Sequence, residues 1–216
     1  EEPEAEVEAQ TETTEDISPT AQRAGNQIIV TATRREAQLQ DVPLSVTAFS
    51  QEDLTEKGIV GYERLARETP GVVLNRPTQN FNNFTARGIS TNGYSAGLQA
   101  PVAIYIDELP ISANGNSTIL DPNLYDVERV EFLRGPQGTL YGKNTLGGAI
   151  NVITRQPGNV FEARGMASYA GPDNAWQVGA SVAGPIVEDK LAVRVAGSHR
   201  EQDGFINNVI IGGKSN

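Results

Sequence analysis

Three segments near the C-terminal end alternate between apolar and polar residues, and this period of two limits the possible folds more than any other feature of the sequence. The segments are Phe161–Ala170, Trp176–Ala183 and Leu191–Arg200, each eight to ten residues long. In the second segment, Val178 and Val182 lie on the same apolar face. Because successive side chains of a strand point to opposite sides, the pattern predicts an antiparallel meander. Such a meander is either a soluble sheet or the wall of a membrane barrel.

The connections between these segments are predicted to be short turns. One lies at Gly171–Asn174, and the other runs from Gly184-Pro185 to Asp189-Lys190. No apolar run reaches the roughly 18 residues that a membrane-spanning helix requires. Membrane strands of about ten alternating residues stay possible, since they hardly raise the mean hydropathy.

The net charge of −10 is concentrated at the N-terminal end of the 216 residues. Of the 27 acidic residues, eight lie in residues 1–22, which leaves 19 acidic against 17 basic residues in the remainder. Residues 1–26 contain few large apolar side chains and are predicted to form a disordered acidic leader. The remainder is nearly neutral and lacks the basic excess of nucleic-acid-binding proteins, so no nucleic-acid partner is expected.

The sequence predicts no catalytic residue, cofactor or metal site. It contains no cysteine and one histidine, His199, which excludes thiol chemistry and Cys- or His-based metal clusters. Asp107 and Glu108 are adjacent carboxylates in a predicted hairpin turn, without a neighbouring base or nucleophile. Gly142-Lys143 resembles part of a P-loop, but Gln137 stands where that motif has its first glycine and Asn144 where it has its hydroxyl.

Local signals between the leader and the three segments predict an α+β domain. Ser50 and Asp53 fit a helix capping box, and Gly58 is a typical helix end. The other predicted elements are a strand around 44–49, a second helix over Tyr62–Glu68, and strands from Val72, over Phe84–Ile89, over Val102–Ile106 and over Val127–Leu133. Long polar loops separate them at 75–83, 90–99 and 112–118, and such lengths indicate function or disorder.

The glycine-rich stretch Phe132–Arg155 is the most distinctive part of the sequence. Together with Arg87-Gly88-Ile89, Val102–Asp107 and Asp126–Glu131, it closely resembles the plug domain of TonB-dependent outer-membrane receptors. The resemblance runs from Ile28 to about Arg155 and continues into the first barrel strands. It implies a plug with a small mixed sheet, short helices and long loops, followed by antiparallel strands of an incomplete transmembrane β-barrel.

The resemblance also implies a division of the chain. The expected parts are a leader (1–26), a TonB box (27–35), the plug (36–157) and the first strands of a truncated barrel (158–216). Family barrels have twenty-two strands, so the sequence is expected to be a fragment of a longer protein.

In that family the TonB box pairs as a strand with the energy-coupling protein TonB. The run Gln27–Arg34 is similar to such a box, and its β-branched composition suits strand addition. The residues expected to contact TonB are Ile28, Ile29, Val30, Thr31 and Ala32. The alternative is that this run is an edge strand of the plug itself.

The apical loops of family plugs face the extracellular side and help to bind substrate. The corresponding candidates are Arg76, Gln79, Asn80, Thr91, Asn92, Tyr94, Asn114 and Asn116. Arginine would bind an anionic chelate, and the amides and Tyr94 offer neutral donors and acceptors. The alternative is that these residues form solvated turns.

The same resemblance implies structural or gating roles inside the plug. The residues concerned are Arg87, Gly88, Arg134, Gly135, Pro136, Gly138, Tyr141, Gly142, Gly147 and Gly148. Buried arginines require carboxylate partners, and in the family such arginines often pair with acids of the barrel.

The function implied is active uptake of a scarce nutrient, most often a ferric siderophore or similar iron chelate, across the outer membrane of a Gram-negative bacterium. The plug would face the barrel lumen and the periplasm, the strands would contact membrane lipid, and TonB with its inner-membrane ExbB/ExbD motor would supply energy. No bond of the substrate is made or broken, so no enzyme is expected. The alternatives are a freestanding plug-like binding module and an NTPase built on the Gly142-Lys143 loop.

Overall fold

A computed structural model describes residues 28–76, 82–91, 98–111, 124–170, 174–202, 206–207 and 214–215. The predicted leader and Gln27 lie outside the described residues. In chain order the elements are β1 (Ile29–Val30), β2 (Ala37–Gln38), β3 (Ser45–Ser50), α1 (Gln51–Glu56), α2 (Tyr62–Glu68), β4 (Val72–Asn75), β5 (Asn83–Ala86), β6 (Val102–Ile106), β7 (Leu109–Pro110), β8 (Val127–Arg134), α3 (Gly138–Tyr141), β9 (Gly148–Thr154), β10 (Glu162–Ala170), β11 (Ala175–Val187), β12 (Leu191–Glu201), β13 (Ile206–Asn207) and β14 (Lys214–Ser215).

A five-stranded mixed sheet in the order β3-β8-β9-β6-β7 forms the centre of the fold. Strands β6 and β9 run parallel, and the other neighbours are antiparallel. Strand β8 lies between β3 and β9 and forms antiparallel ladders on both of its edges. This arrangement confirms the predicted α+β domain with a small mixed sheet.

Helices α1 and α2 cover one face of this sheet. The Ser50 side chain accepts a hydrogen bond from the Asp53 backbone N–H, and the Asp53 carboxylate accepts from the Ser50 N–H, which is the predicted capping box. The buried side chains of α1 and α2 join Phe84 and Phe132 in one apolar core. In this core the ring of Phe84 meets the rings of Tyr62 and Phe132 edge to face.

The opposite face of the sheet is covered by the chain around β1 and β2. Val30 and Ala32 are fully buried there and pack in a second cluster with Ala103, Leu133 and Ala149 of the sheet. The residues that precede the capped helix in the sequence thus supply a second layer on the five-stranded sheet.

Strands β10, β11 and β12 form a separate antiparallel sheet, as the alternating pattern predicts. Ser181 and Ala183 of β11 are buried. Val178 and Val182, which lie on the opposite face of the strand, are 43% and 48% exposed. One face of β11 is therefore covered and the other presents an apolar surface.

The connection between the second and third segments begins later than predicted, so its predicted start at Gly184-Pro185 is wrong. Strand β11 continues to Val187, Pro185 pairs with Ala192, and the register shifts between Pro185 and Val187. Proline is tolerated at such an irregularity because the ladder is already interrupted there. The turn itself occupies residues 188–190.

The helices of the described ranges are all too short and polar to cross a membrane.

Candidate functional site

Residues 28–34, called here the N-terminal segment, include all five residues expected to contact TonB. Strand β1 of this segment pairs with β2, which follows the segment, in a short hairpin with Ile29 opposite Gln38 and Val30 opposite Ala37. Val30 and Ala32 point into the second core cluster and are fully buried, while Ile29 is 43% exposed. The segment thus lies against the five-stranded sheet, in a two-stranded sheet of its own. Contact with TonB and the alternative of an edge strand of the plug both stay predictions.

Polar contacts join the N-terminal segment to the centre of the sheet. The Thr31 backbone N–H donates to Glu131 Oε1 at 2.7 Å, and the Thr31 hydroxyl donates to the same oxygen at 3.2 Å. Glu131 is fully buried on β8 and forms an ion pair with Arg129, whose Nε lies 2.8 Å from Oε1. Arg129 Nη2 also donates to Thr31 Oγ1 at 3.3 Å. Sequence reasoning missed Glu131, because its contact with Thr31 spans 100 residues.

Two tyrosines fix the end of the N-terminal segment. The Tyr141 hydroxyl donates to the Ala32 carbonyl oxygen at 3.2 Å, and the Tyr105 hydroxyl donates to the Tyr141 carbonyl oxygen. Burial, reinforced by the negative charge of Glu131, raises the pKa of Tyr141 to about 12, although Arg34 opposes the shift. Burial likewise raises the pKa of Tyr105. Both hydroxyls are therefore protonated donors at neutral pH.

Arg34 contributes a further attachment outside the buried cluster. Its guanidinium carbon lies 5.1 Å from the centre of the Tyr141 ring, and its Nε donates to the Leu140 carbonyl oxygen at 2.9 Å. Its Nη1 lies 3.5 Å from Glu108 Oε2 in an exposed ion pair, which contributes little to stability. Glu108 thus behaves as a surface turn residue.

The predicted gating arginines lie on either side of one glycine. Arg87 Nη1 would lie 2.8 Å from a β-carbon at Gly135, and Gly135 has a φ of +97°, so only glycine suits this position. Arg134 donates from Nη1 to the Pro70 carbonyl oxygen at 3.2 Å. Neither arginine has a carboxylate partner among the described residues. The structure therefore brings Arg87 and Arg134 to the same place in the plug without neutralising them there.

The glycine-rich stretch shapes the connection between β8 and β9. A β-carbon at Gly148 would lie 2.3 Å from the Leu133 carbonyl oxygen, and Gly147 donates from its backbone N–H to the Pro101 carbonyl oxygen at 2.7 Å. The other predicted members fall at the turn after Arg87 (Gly88), before and at the start of α3 (Pro136, Gly138), within it (Tyr141) and at its end (Gly142). Gly88 and Gly142 have positive φ angles and serve backbone geometry, whereas Tyr141 acts through its buried side chain. Helix α3 itself was not predicted.

Two of the candidate substrate residues lie within the described part of the loops. Arg76 donates from Nε to Asn82 Oδ1 at 3.0 Å, and the Thr91 carbonyl oxygen accepts from Asn83 Nδ2 at 2.8 Å. Asn82 and Asn83 are buried just before and at the start of β5. Asn82 thus binds the residue at the start of the first loop, and Asn83 binds a residue at the start of the second. Sequence reasoning missed them. The remaining candidates lie outside the described residues: Gln79, Asn80, Asn92, Tyr94, Asn114 and Asn116.

An ion pair joins the plug to the three-stranded sheet. Arg194 of β12 donates from Nε to Asp126 Oδ2 at 2.7 Å and from Nη2 to Asp126 Oδ1, and Ser181 of β11 also donates to Asp126. Beside it, the Tyr125 ring lies 2.8–2.9 Å from the position of a β-carbon at Gly179. The absence of a side chain at Gly179 lets the ring approach the strand. Nothing in the local sequence signals either contact.

No group of His, Cys, Asp and Glu side chains in the described ranges is arranged to hold a metal ion. The candidate site thus consists of the N-terminal segment docked on the five-stranded sheet and of the ion pair between Asp126 and Arg194.

Comparison with known proteins identifies the family of the domain. Residues 38–149 match the family model described as the TonB-dependent Receptor Plug Domain. The chain belongs to this family. The plug domain and the antiparallel strands that follow it agree with the fold predicted from the resemblance.

Two relatives of the plug family are named as receptors or transporters. The pesticin receptor of Yersinia pestis is 34% identical over 142 residues, which cover 64% of this chain and 20% of that receptor. The ferrichrome outer membrane transporter/phage receptor of Escherichia coli is 30% identical over 156 residues, which cover 69% of this chain and 19% of that protein. The chain thus spans about a fifth of the length of these relatives.

Among solved structures, the ferric yersiniabactin uptake receptor FyuA of Yersinia pestis superposes on this plug protein with a TM-score of 0.64 and 29% sequence identity. The superposition covers 79% of this chain and 26% of that receptor. It includes more of the chain than the plug model matches.

Proposed function

We propose that this chain forms the plug and the first barrel strands of an outer-membrane receptor that takes up a ferric siderophore or similar iron chelate. The observation that carries the proposal is the docked N-terminal segment, which lies directly before the plug match and has the composition of a strand that can pair with a partner. The relatives support the substrate class, since their names include ferrichrome and ferric yersiniabactin. They also favour a receptor over a freestanding binding module or an enzyme.

In the proposed mechanism, Ile28 to Ala32 bind TonB by strand addition. Main-chain hydrogen bonds supply affinity in this mode, and alternate side chains supply fit. Val30 and Ala32 are fully buried in the docked position, so the segment must leave the sheet before TonB can bind both faces of the strand. TonB and its ExbB/ExbD motor then pull on the segment and rearrange the plug, and the substrate passes without chemical change.

The proposed substrate site lies at the apical loops. Arg76 and Thr91 frame it, with Gln79, Asn80, Asn92, Tyr94, Asn114 and Asn116 as further contacts. The guanidinium of Arg76 is suited to an anionic chelate, because charge-assisted hydrogen bonds are about twice as strong as neutral ones. Binding there would compete with the contact of Arg76 to Asn82.

The proposed orientation places β10–β12 in the outer membrane, with the exposed valines towards lipid and the buried face towards the plug. The Asp126–Arg194 pair supports this, since it joins the plug to the inward face of the strands. Arg87 and Arg134 are proposed to pair with acids elsewhere in the barrel, because charged groups inside a barrel are expensive unless paired. The proposed boundaries stay at 1–26, 27–35, 36–157 and 158–216.

Val30→Pro tests the proposal in a strain that lacks the chromosomal gene and carries the complete gene on a plasmid. Proline removes a backbone donor and obstructs strand pairing, so uptake of radioactive ferric chelate should fall to the level of the deletion strain while chelate binding to whole cells persists. Glu36→Pro is the matched control, since Glu36 is exposed and lies outside the five contact residues.

Two results would contradict the proposal in different ways. Normal uptake by the Val30→Pro variant would overturn the role of this segment. Unchanged growth of the deletion strain under iron limitation would overturn the substrate class.

A further inference from the structure

We propose that Glu131 is the latch that holds the N-terminal segment on the sheet, and that loss of its contact with Thr31 frees the segment for its partner. The inference rests on the proposed function for the identity of that partner. It concerns a residue outside the segment, on a strand whose sequence carries no sign of such a role.

The N-terminal segment has no backbone ladder to the five-stranded sheet within the described residues. Its ladder hydrogen bonds are made with β2, its own hairpin partner, and the Ile28 carbonyl oxygen accepts from Leu39 in the same hairpin. The hairpin can therefore separate from the sheet without breaking any ladder of the sheet. Its polar contacts with β8 are made by side chains, those of Glu131 and Arg129.

Glu131 makes the strongest polar contact of this interface. One carboxylate oxygen, Oε1, accepts from both the backbone N–H and the hydroxyl of Thr31. Hydrogen bonds to an ionised acceptor are roughly twice as strong as neutral ones. The other oxygen, Oε2, has no hydrogen-bond partner among the described residues, so the buried carboxylate depends on Thr31 and Arg129.

Arg129 makes the latch a unit of three side chains. Its Nε holds Glu131 Oε1, and its Nη2 reaches the Thr31 hydroxyl, so one guanidinium orients both partners. The remaining attachments lie at the other end of the segment and are neutral or exposed: Tyr141 to the Ala32 carbonyl oxygen, and Arg34 to Leu140 and Glu108. Removing the charge of Glu131 therefore weakens the polar attachment at this end of the segment and leaves the strand ladders of the sheet intact.

The test measures exposure of the segment by thiol labelling of the protein expressed from its complete gene, in isolated outer membranes and with the probe cysteine as the only one. Ala32→Cys reports the segment, and Ala86→Cys reports the opposite core; both alanines are fully buried. Each probe is combined with Glu131→Gln, which keeps the size of the side chain and removes its charge. Glu128→Gln is the matched control, because Glu128 lies on the same strand and contacts Arg129 without contacting the segment.

We expect Glu131→Gln to raise the maleimide labelling rate at position 32 by about tenfold, the effect of replacing two charge-assisted hydrogen bonds by neutral ones. The rate at position 86 should not change, and Glu128→Gln should leave both rates at the parent level. Equal acceleration at positions 32 and 86 would overturn the proposal, since it would reflect loosening of the whole plug. No acceleration at position 32 would overturn it as well.

Capture of the periplasmic domain of TonB separates this inference from the proposed function. The latch predicts that Glu131→Gln membranes retain more of that domain than parent membranes. Faster labelling at position 32 with no capture by any variant would support the latch and overturn TonB as the partner.

Discussion

The two faces of the central sheet are covered in different ways. On one face, helices α1 and α2 bring Leu54, Tyr62 and Leu65 against Phe84 and Phe132. On the other face, a hairpin whose strands have two residues each covers a surface that includes a buried carboxylate. Both faces exclude solvent, but only the second relies on a buried ion pair to do so.

This difference supports the proposal that the helical face is a permanent core and the hairpin a removable cover. Apolar burial scales with contact area and depends little on direction, so the helical face loses stability gradually as side chains are trimmed. A directional contact to one carboxylate is lost in a single step. The segment proposed to bind TonB thus lies on the face where a directional polar contact adds to the apolar packing.

Phe132 and Leu133 offer the most direct way to break the comparison. They are neighbours on β8, both fully buried, and they face the helical core and the second cluster respectively. Phe132→Ala should destabilise the plug by about 3–5 kcal/mol. Leu133→Ala should lie at the low end of the range for Leu→Ala, about 2 kcal/mol, because the hairpin can settle into the space.

Urea-dependent labelling of a cysteine at position 86 measures the first effect, and labelling at position 32 measures the second. Phe132→Ala should shift the urea midpoints of both probes, whereas Leu133→Ala should shift mainly that of position 32. Identical shifts of both probes in both variants would show that the two faces unfold as one unit.

The parts of the fold that the sequence predicted are those with local causes. The capping box at Ser50, helix α2 and strand β6 occur at the predicted residues, because caps, apolar spacing and β-branched runs act over a few positions. Helix α3 was missed because its Gly-Thr-Leu-Tyr sequence is too short and glycine-containing to carry a helical signal.

The parts of the candidate site that escaped prediction depend on tertiary contacts. The sequence identified the N-terminal segment as strand-forming, but nothing near Thr31 indicates that Glu131 receives its hydrogen bonds. Similarly, Asp126 and Arg194 are 68 residues apart, and each is an ordinary charged residue in its local context. Pairing across such separations is decided by the packing of whole elements, which residue patterns do not encode locally.

Gly148 tests whether the two faces share one scaffold. Its φ is +155°, and a β-carbon there would lie 2.3 Å from the Leu133 carbonyl oxygen of the neighbouring strand. Gly148→Ala should therefore separate β8 from β9 locally and cost about 2–3 kcal/mol, and it should accelerate labelling at positions 32 and 86 alike. Gly138→Ala is the control, since a β-carbon there meets nothing within 4 Å. Acceleration at one position only would mean that the faces are supported independently.

Tyr141 provides the smallest and most specific perturbation of the removable cover. Tyr141→Phe deletes the hydroxyl that donates to the Ala32 carbonyl oxygen and should weaken docking by about 1 kcal/mol.

The pKa of this tyrosine is raised from 10.0 to about 12. A group with a raised pKa in the folded state contributes stability that is complete below its ordinary pKa and is lost as the pH rises through the folded value. Docking in the parent protein should therefore weaken between about pH 10 and pH 12, and this part of the pH dependence should be absent from the variant. The difference in tyrosinate absorbance between the two proteins isolates the titration of Tyr141, and a midpoint near 10 would contradict its burial beneath the segment.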